Sequence, residues 1–237
     1  TPVADGCSGT PCNVDVTVDP QPTLSTGVTP LSQVLCSNTA MVIDVNSATV
    51  PSAGSVVYDY VAVASDVSVT GFTASAINQS LATNISNLNV LNSSLIRQTI
   101  TYTITPKVLG GLACAGPSVV VVISIDPVPV VSSAATKSIC SGVSVNYVPT
   151  AAVAGTVFNW TSSVTVGTVT GNTAVGGLGT IADVLVNTTN VIGTVRYVIT
   201  PVANGCSGTP FNVDVTVDPQ PTLSTVVTPL SQVLCSN

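Results

Sequence analysis

The sequence predicts an all-β protein of tandem sandwich domains arranged as a rod, and three observations carry that reading. Val and Thr dominate the chain; both are β-branched, lose rotamer freedom in helices and pack well on a pleated sheet. Segments of strict alternation recur, such as Phe211-Asn-Val-Asp-Val-Thr-Val217, the period of a half-buried strand. Gly, Pro, Asn and Ser separate these segments, as turns require.

Self-comparison orders the strands into domains. Residues 1–38 recur as residues 200–237, with changes only at Asp5/Asn204, Cys12/Phe211 and Gly27/Val226. Near-identity at an offset of 199 residues points to recent duplication in a chain expected to continue in both directions. A weaker repeat lies inside this period. Tyr102-Thr-Ile-Thr-Pro106 matches Tyr197-Val-Ile-Thr-Pro201, and each precedes a loop with Cys, an alternating strand and an Asp-Pro step. The steps at Asp19, Asp126 and Asp218 are 107 and 92 residues apart, the size of single sandwich domains. The expected division is therefore 1–20 as the C-terminal strand of a preceding repeat, 21–127 and 128–219 as complete domains, and 220–237 as the start of a following repeat. Pro-rich junctions should act as short, stiff linkers.

In the domain 128–219, strands are expected at 143–148, 156–161, 180–187, 193–200 and 211–217. In the domain 21–127 they are expected at 41–45, 56–63, 66–70, 99–105 and 118–125. Along 211–217, Phe211, Val213, Val215 and Val217 should face inward. Phe158-Asn-Trp160 and Tyr58-Asp-Tyr60 read aromatic-polar-aromatic on a central strand. Trp160 resembles the core Trp of an immunoglobulin-type sandwich, and Tyr102 and Tyr197 sit where a corner tyrosine could anchor the penultimate strand. Burying each aromatic is worth a few kcal/mol, so core packing is favoured over a sugar-stacking platform at all six positions.

Composition excludes several functions. The chain has no His and no Glu; ten Asp and four Lys and Arg give a net charge of −6. Phosphate backbones need clustered cations, so no nucleic-acid partner is expected. Mean hydropathy is +0.61, yet the longest strongly apolar run is 119–123, against about 20 residues for a spanning helix, so no membrane insertion is expected. Without His, triads and imidazole metal sites cannot form. No EF-hand loop occurs, and Gly110-Gly111 and Gly176-Gly177 lack the Gly-Lys-Ser/Thr of a phosphate loop. Calcium at Asp19, Asp126 or Asp218 would meet too few neighbouring carboxylates. The expected catalytic, cofactor and metal residues are therefore none. Asn-x-Ser/Thr sequons at Asn78, Asn84, Asn92, Asn159 and Asn187 are discounted as chance in a Ser/Thr-rich chain.

A family resemblance rests on Tyr197–Pro201, Gly205–Gly208 (Gly-Cys-Ser-Gly), Val213–Pro219, Ile139–Gly142 (Ile-Cys-Ser-Gly) and Phe158–Trp160. Together they resemble the PKD-like or immunoglobulin-like repeats of Bacteroidota surface proteins, including giant SprB-like gliding adhesins exported by type IX secretion. The domain 21–127 departs from the pattern, with Leu35-Cys-Ser-Asn38 for Ile-Cys-Ser-Gly and Tyr60 for Trp. The resemblance implies an extracellular, bacterial cell-surface stalk or adhesin repeat with no catalytic residues. Its partners would be neighbouring repeats of the same chain, and cell-surface machinery or polysaccharide. The alternative is a carbohydrate- or surface-binding module acting through repeat loops.

An exported protein permits disulfides. Cys7, Cys114 and Cys206 follow the Thr-Pro step, and Cys36, Cys140 and Cys235 lie near each domain start. Pairing within domains, Cys36–Cys114 and Cys140–Cys206, is slightly favoured because each domain then closes alone. Pairing across the junction would give Cys36–Cys206. Full-length first strands would put the within-domain partners at opposite poles, beyond a Cα separation of about 4.4–6.8 Å. Cys12, in the place of Phe211, is read as a buried apolar thiol.

Overall fold

The computed structural model describes residues 1–16, 18–29, 34–110 and 114–221. The chain is all-β and divides into two units between Pro127 and Val128.

The first unit holds β1 (Val3–Ala4), β2 (Cys7–Ser8), β3 (Ser25–Thr29), β4 (Val34–Cys36), β5 (Thr39–Asn46), β6 (Ser55–Ala64), β7 (Val69–Thr70), β8 (Ser75–Ser80), β9 (Ile85–Asn92), β10 (Gln98–Leu109) and β11 (Val119–Asp126). Its sheets have the orders β4-β11-β10-β6-β8 and β3-β5-β9-β7. Between them pack Met41, Ile43, Val45, Tyr58, Tyr60, Val90, Ile100, Tyr102, Ile104, Ile123 and Ile125. Alternation along β10 explains why: Ile100, Tyr102 and Ile104 are fully buried, while Thr101, Thr103 and Thr105 face out.

The second unit holds β12 (Thr136–Cys140), β13 (Val143–Ser144), β14 (Val157–Val166), β15 (Val169–Thr170), β16 (Gly177–Leu178), β17 (Val184–Asn187), β18 (Gly193–Ala203), β19 (Cys206–Ser207) and β20 (Phe211–Asp218). One sheet runs β12-β20-β18-β14-β16, with β19 on the end of β18; the other runs β13-β17-β15. Val213, Val215 and Val217 are fully buried, and Phe211 is partly buried against the same core.

The expected strands are present, with shifts at their ends. β10 and β18 run to Leu109 and Ala203, through Pro106 and Pro201. The expected strands 143–148 and 180–187 shrink to β13 and β17, joined by a bridge between Tyr147 and Ile181. The expected strand 66–70 shrinks to β7 because Asp66 folds into a turn, accepting from the Ser68 N–H at 2.8 Å. Sequence reading passed over β4, β8, β9 and β12, whose short or mixed patterns carry little alternation.

The N-terminal segment shows how much of a strand is context. Asp5-Gly6 and Asn204-Gly205 adopt the same left-handed pairs, with φ 48° and 81° against 52° and 80°. Both close two-residue hairpins in one register, Ala4 opposite Cys7 and Ala203 opposite Cys206. That is the geometry an Asp-Gly or Asn-Gly turn dictates locally. The strand that follows does not repeat. Val14, Val16 and Val18 are about four-fifths exposed, while the identical Val213, Val215 and Val217 are buried. Cys12 is exposed rather than the buried thiol expected: a strand buries its inward face only when neighbours flank it, and 11–16 and 18 lie in no strand.

Candidate functional site: the lock between first and last strands

In each unit a short strand pairs in parallel with the last strand; it is the first strand, β12, in the second unit and β4, which follows β1 to β3, in the first. β4 lies on β11, with Val34, Leu35 and Cys36 opposite Ser124, Ile125 and Asp126. β12 lies on β20, with five residue pairs from Thr136–Asp214 to Cys140–Asp218. Each last strand is thereby flanked on both edges, by β10 or β18 on the other side.

A buried asparagine closes the end of each pair. Asn187 Nδ2 donates to the carbonyls of Val191 and Val217 at 2.7 and 2.9 Å. Its Oδ1 accepts from the Thr189 N–H and hydroxyl at 2.9 and 2.8 Å. Its own N–H donates to Ser141 Oγ at 2.9 Å. Asn92 repeats this with Ile96, Ile125, Ser94 and Ser37. Each asparagine thus ties the Ser of the Cys-Ser motif, the following turn and the last strand into one network. The residue after that Ser turns the chain left-handed, Asn38 at φ 66° and Gly142 at φ 82°. Gly, and after it Asn and Asp, enter that region most cheaply, so Leu-Cys-Ser-Asn and Ile-Cys-Ser-Gly are equivalent. Both turns then donate a backbone N–H to the facing strand, Asn38 to Val90 at 2.7 Å and Gly142 to Leu185 at 2.8 Å.

The lock explains two of the sequons. Asn92-Ser-Ser94 and Asn187-Thr-Thr189 match the pattern because the hydroxyl at the third position donates back to the asparagine. Both amides are buried. Sequence inspection holds this signal, since a Ser/Thr two residues after Asn is also an Asx-turn partner. Asn78, Asn84 and Asn159 lie on exposed positions.

Charge supports the last strands. Arg97 grips Asp126 bidentately at 2.8 and 2.7 Å, and the Asp126 side chain is fully buried. Arg196 grips Asp214 likewise at 2.7 and 2.8 Å, across β18 and β20. The hydrogen bonds from Arg196 hold the Asp214 carboxyl below its usual range. Burial raises Asp59, but the Lys107 ammonium and the Asn78 N–H outweigh it and lower its pKa overall.

The predicted core aromatics form two clusters. Trp160 meets Tyr197 edge-on, 5.5 Å between ring centroids. Tyr58, Tyr60 and Tyr102 line up at 6.5 and 6.0 Å. Phe158 is partly buried against the core that holds Trp160 and Tyr197. Burial, and then the hydrogen bond to Asp183, push the Tyr197 hydroxyl far above its ordinary range; it donates to Asp183 at 2.8 Å. Tyr102 accepts from Asn87 at 3.0 Å, and burial raises it too. Tyr147 joins the core unannounced, its hydroxyl donating to the Ala134 carbonyl at 2.7 Å.

The cysteines depart from within-domain pairing. Cys36 and Cys206 are disulfide-bonded, whereas Cys7, Cys114 and Cys140 are free thiols; Cys235 lies outside the described residues. The reason is strand length. Cys36 lies opposite Asp126, at the Gln98 end of β10, while Cys114 lies by Val108 at its other end. Cys140 and Cys206 flank opposite ends of β18 in the same way. Ten residues of strand separate such positions by roughly 33 Å, several times a disulfide span.

Little else offers chemistry. Among the described residues no three His, Cys, Asp or Glu cluster to hold a metal, and no helix is long and apolar enough to cross a membrane. An open cleft of about 410 Å³ lies along Asn159, Thr161, Gly176 and Leu178, with Trp160 in its wall. Among the described residues, the buried Trp160 Nε1 has no hydrogen-bond partner.

Two sheets per unit, cores between them and paired end strands define tandem immunoglobulin-like sandwiches. The sequence matches the PKD-like domain over residues 33–129 and 137–221, and the chain belongs to that family. No curated protein matches the sequence. Solved structures similar to it include the human Desmocollin-1 ectodomain, at 10% identity and TM-score 0.37 over 85% of this chain and 42% of that one. Dpr11 IG1 bound to DIP-gamma IG+IG2 is similar at 10% identity and TM-score 0.36, over 84% and 99%. The titin I-band fragment I67-I69 is similar at 8% and 0.34, over 79% and 62%. The chain spans about two-fifths of the Desmocollin-1 ectodomain it matches.

Proposed function

We propose that this chain is a force-bearing structural repeat of a long extracellular filament or adhesin stalk, which presents a distal tip in adhesion or gliding motility. A PKD-like tandem with disulfide-bonded cysteines fits an extracellular structural or adhesive role. The parallel pairing of first and last strands carries the finer reading. Tension entering at β12 and leaving through β20 runs along the strands, so the rungs between Thr136–Cys140 and Asp214–Asp218 share it at once. Peeling an antiparallel pair breaks one rung at a time. The asparagine lock sits where the load leaves the last strand, and no catalysis is involved.

Single-molecule pulling tests this. With the disulfide reduced, handles at the chain ends load the pair in shear; handles at residue 191 and at the C-terminal end peel β18 from β20. The end-to-end pull should rupture the second unit at clearly higher force. Equal forces in the two geometries would overturn the reading.

The cleft beside Trp160 and Leu178 favours one second reading, a loop-borne carbohydrate site. Saturable glycan capture by the chain, lost in Leu178→Asp, would move it into that class.

A further inference from the structure

We propose that the outer face of β6, β10 and β11 in the first unit is a weak homophilic interface that pairs with the same face of a second copy of this chain. In register across these strands lie Val63–Thr101–Val122 and Val61–Thr103–Val120. The four valines are 62, 40, 55 and 59% exposed in that order, although each row stands in the middle of a sheet.

The second unit shows what the same fold does when this face meets water. Aligning Tyr102 with Tyr197, Tyr60 with Trp160 and Asp126 with Asp218 puts Ser163–Arg196–Asp214 where the first unit has Val63–Thr101–Val122. It puts Thr161 and Asn212 where the first unit has Val61 and Val120. The bidentate Arg196–Asp214 pair therefore occupies the place of Thr101 and Val122. One repeat charges this face and the other strips it of charge. A contiguous exposed apolar patch of this kind marks an interaction surface.

A second copy is the occupant that the face fits. Each row reads Val–Thr–Val about a central strand, so a two-fold rotation lays like on like, as an isologous contact requires. The nearest charges, Lys107 and Asp59, close on each other at 2.6 Å, leaving nothing to attract an ionic partner. A net charge of −6 opposes approach of two copies, and only a neutral face permits close contact without burying charge. The uncharged rows span roughly 17 by 14 Å, about 240 Å² on each copy. A total near 500 Å² lies well below the ~1,200–2,000 Å² of stable complexes, so one face alone associates weakly. Faces repeated along a long chain would add by avidity.

Sedimentation equilibrium of the whole chain, with free thiols alkylated and the disulfide left intact, tests this from about 10 μM to 1 mM. The wild type should show a reversible monomer–dimer equilibrium. Thr101→Arg with Val122→Asp, which copies the second unit's ion pair into the first, should weaken association at least ~10-fold, about 1.4 kcal/mol. Thr103→Arg provides an independent variant should that pair fail to fold, as judged by circular dichroism. A wild type that stays monomeric throughout overturns the proposal. So does equal association in folded face variants, or binding of this face to polysaccharide by a strictly monomeric chain.

Discussion

Asn187→Ala should destabilise the second unit severely, and the structure sets the size of the effect. The substitution removes two donors and one doubly used acceptor. It leaves the carbonyls of Val191 and Val217, and the N–H of Thr189, without their side-chain partner. Each lost bond whose partner stays buried costs about 1–3 kcal/mol; water entering the vacated space recovers part of that. A net loss of about 3–4 kcal/mol follows, a large share of the 5–15 kcal/mol typical of a domain. At about 4–8 °C per kcal/mol for a domain of this size, the melting temperature should fall by roughly 12–30 °C. The assay is direct, because Trp160 is the single tryptophan and its fluorescence reports the second unit. Far-UV circular dichroism reads the matching Asn92→Ala in the unit that has no tryptophan. A fall under about 4 °C, equivalent to less than 1 kcal/mol, would refute the lock.

Gly208→Ala should cost several kcal/mol, because an added Cβ would overlap the Pro129 carbonyl and crowd Pro201; a melting temperature within 2–3 °C of wild type, well under 1 kcal/mol, would contradict it. Hydrogen exchange should be fast at Val14, Val16 and Val18 and slow at Val213, Val215 and Val217, despite their identical local sequence; equal protection would mean that the first segment has a partner strand. Asp214 is held below its usual pKa, so its contribution is present above about pH 4 and lost as pH falls through the lowered folded value. The acid limb read by Trp160 should therefore flatten in Asp214→Asn, and an unchanged limb would remove that carboxylate from the account. Peptide mapping without reduction should find Cys36 and Cys206 in disulfide-linked peptides and Cys114 and Cys140 alkylated; the reverse would reject the assignment.

The fold was legible where apolar residues alternate over seven or more positions. β10 and β20 could be read from Thr99-Ile-Thr-Tyr-Thr-Ile-Thr105 and Phe211–Val217, since one buried face imposes that pattern, and β11 from the apolar Val119–Ile125 run. Trp160, Tyr102 and Tyr197 could be placed because a large aromatic in a chain with nine of them has few homes other than a core. β4 and β12 were hidden, because a short parallel end strand needs only Leu35 or Ile139 to anchor it. The locks were hidden for another reason: Asn92 and Asn187 bond to partners as far as 55 and 46 residues away. Their local signature coincides with a glycosylation pattern that arises by chance in a Ser/Thr-rich chain, so it does not stand out. Cys12 was misjudged because its repeat partner Phe211 was assumed to share its surroundings.

That each last strand lies inside its sheet has a consequence for assembly of the chain. β11 and β20 come last in sequence, yet each has a hydrogen-bonded neighbour on both edges. A unit emerging N-terminus first from a ribosome or an export channel cannot complete either sheet until these final eight residues arrive. Before then β4 and β12 have no ladder to join, and one edge each of β10 and β18 stays unpaired. Closure depends on contacts far apart in sequence, which form slowly. Each repeat should therefore stay threadable through a narrow channel for nearly its whole length, and snap shut only once its Asp-Pro boundary has passed.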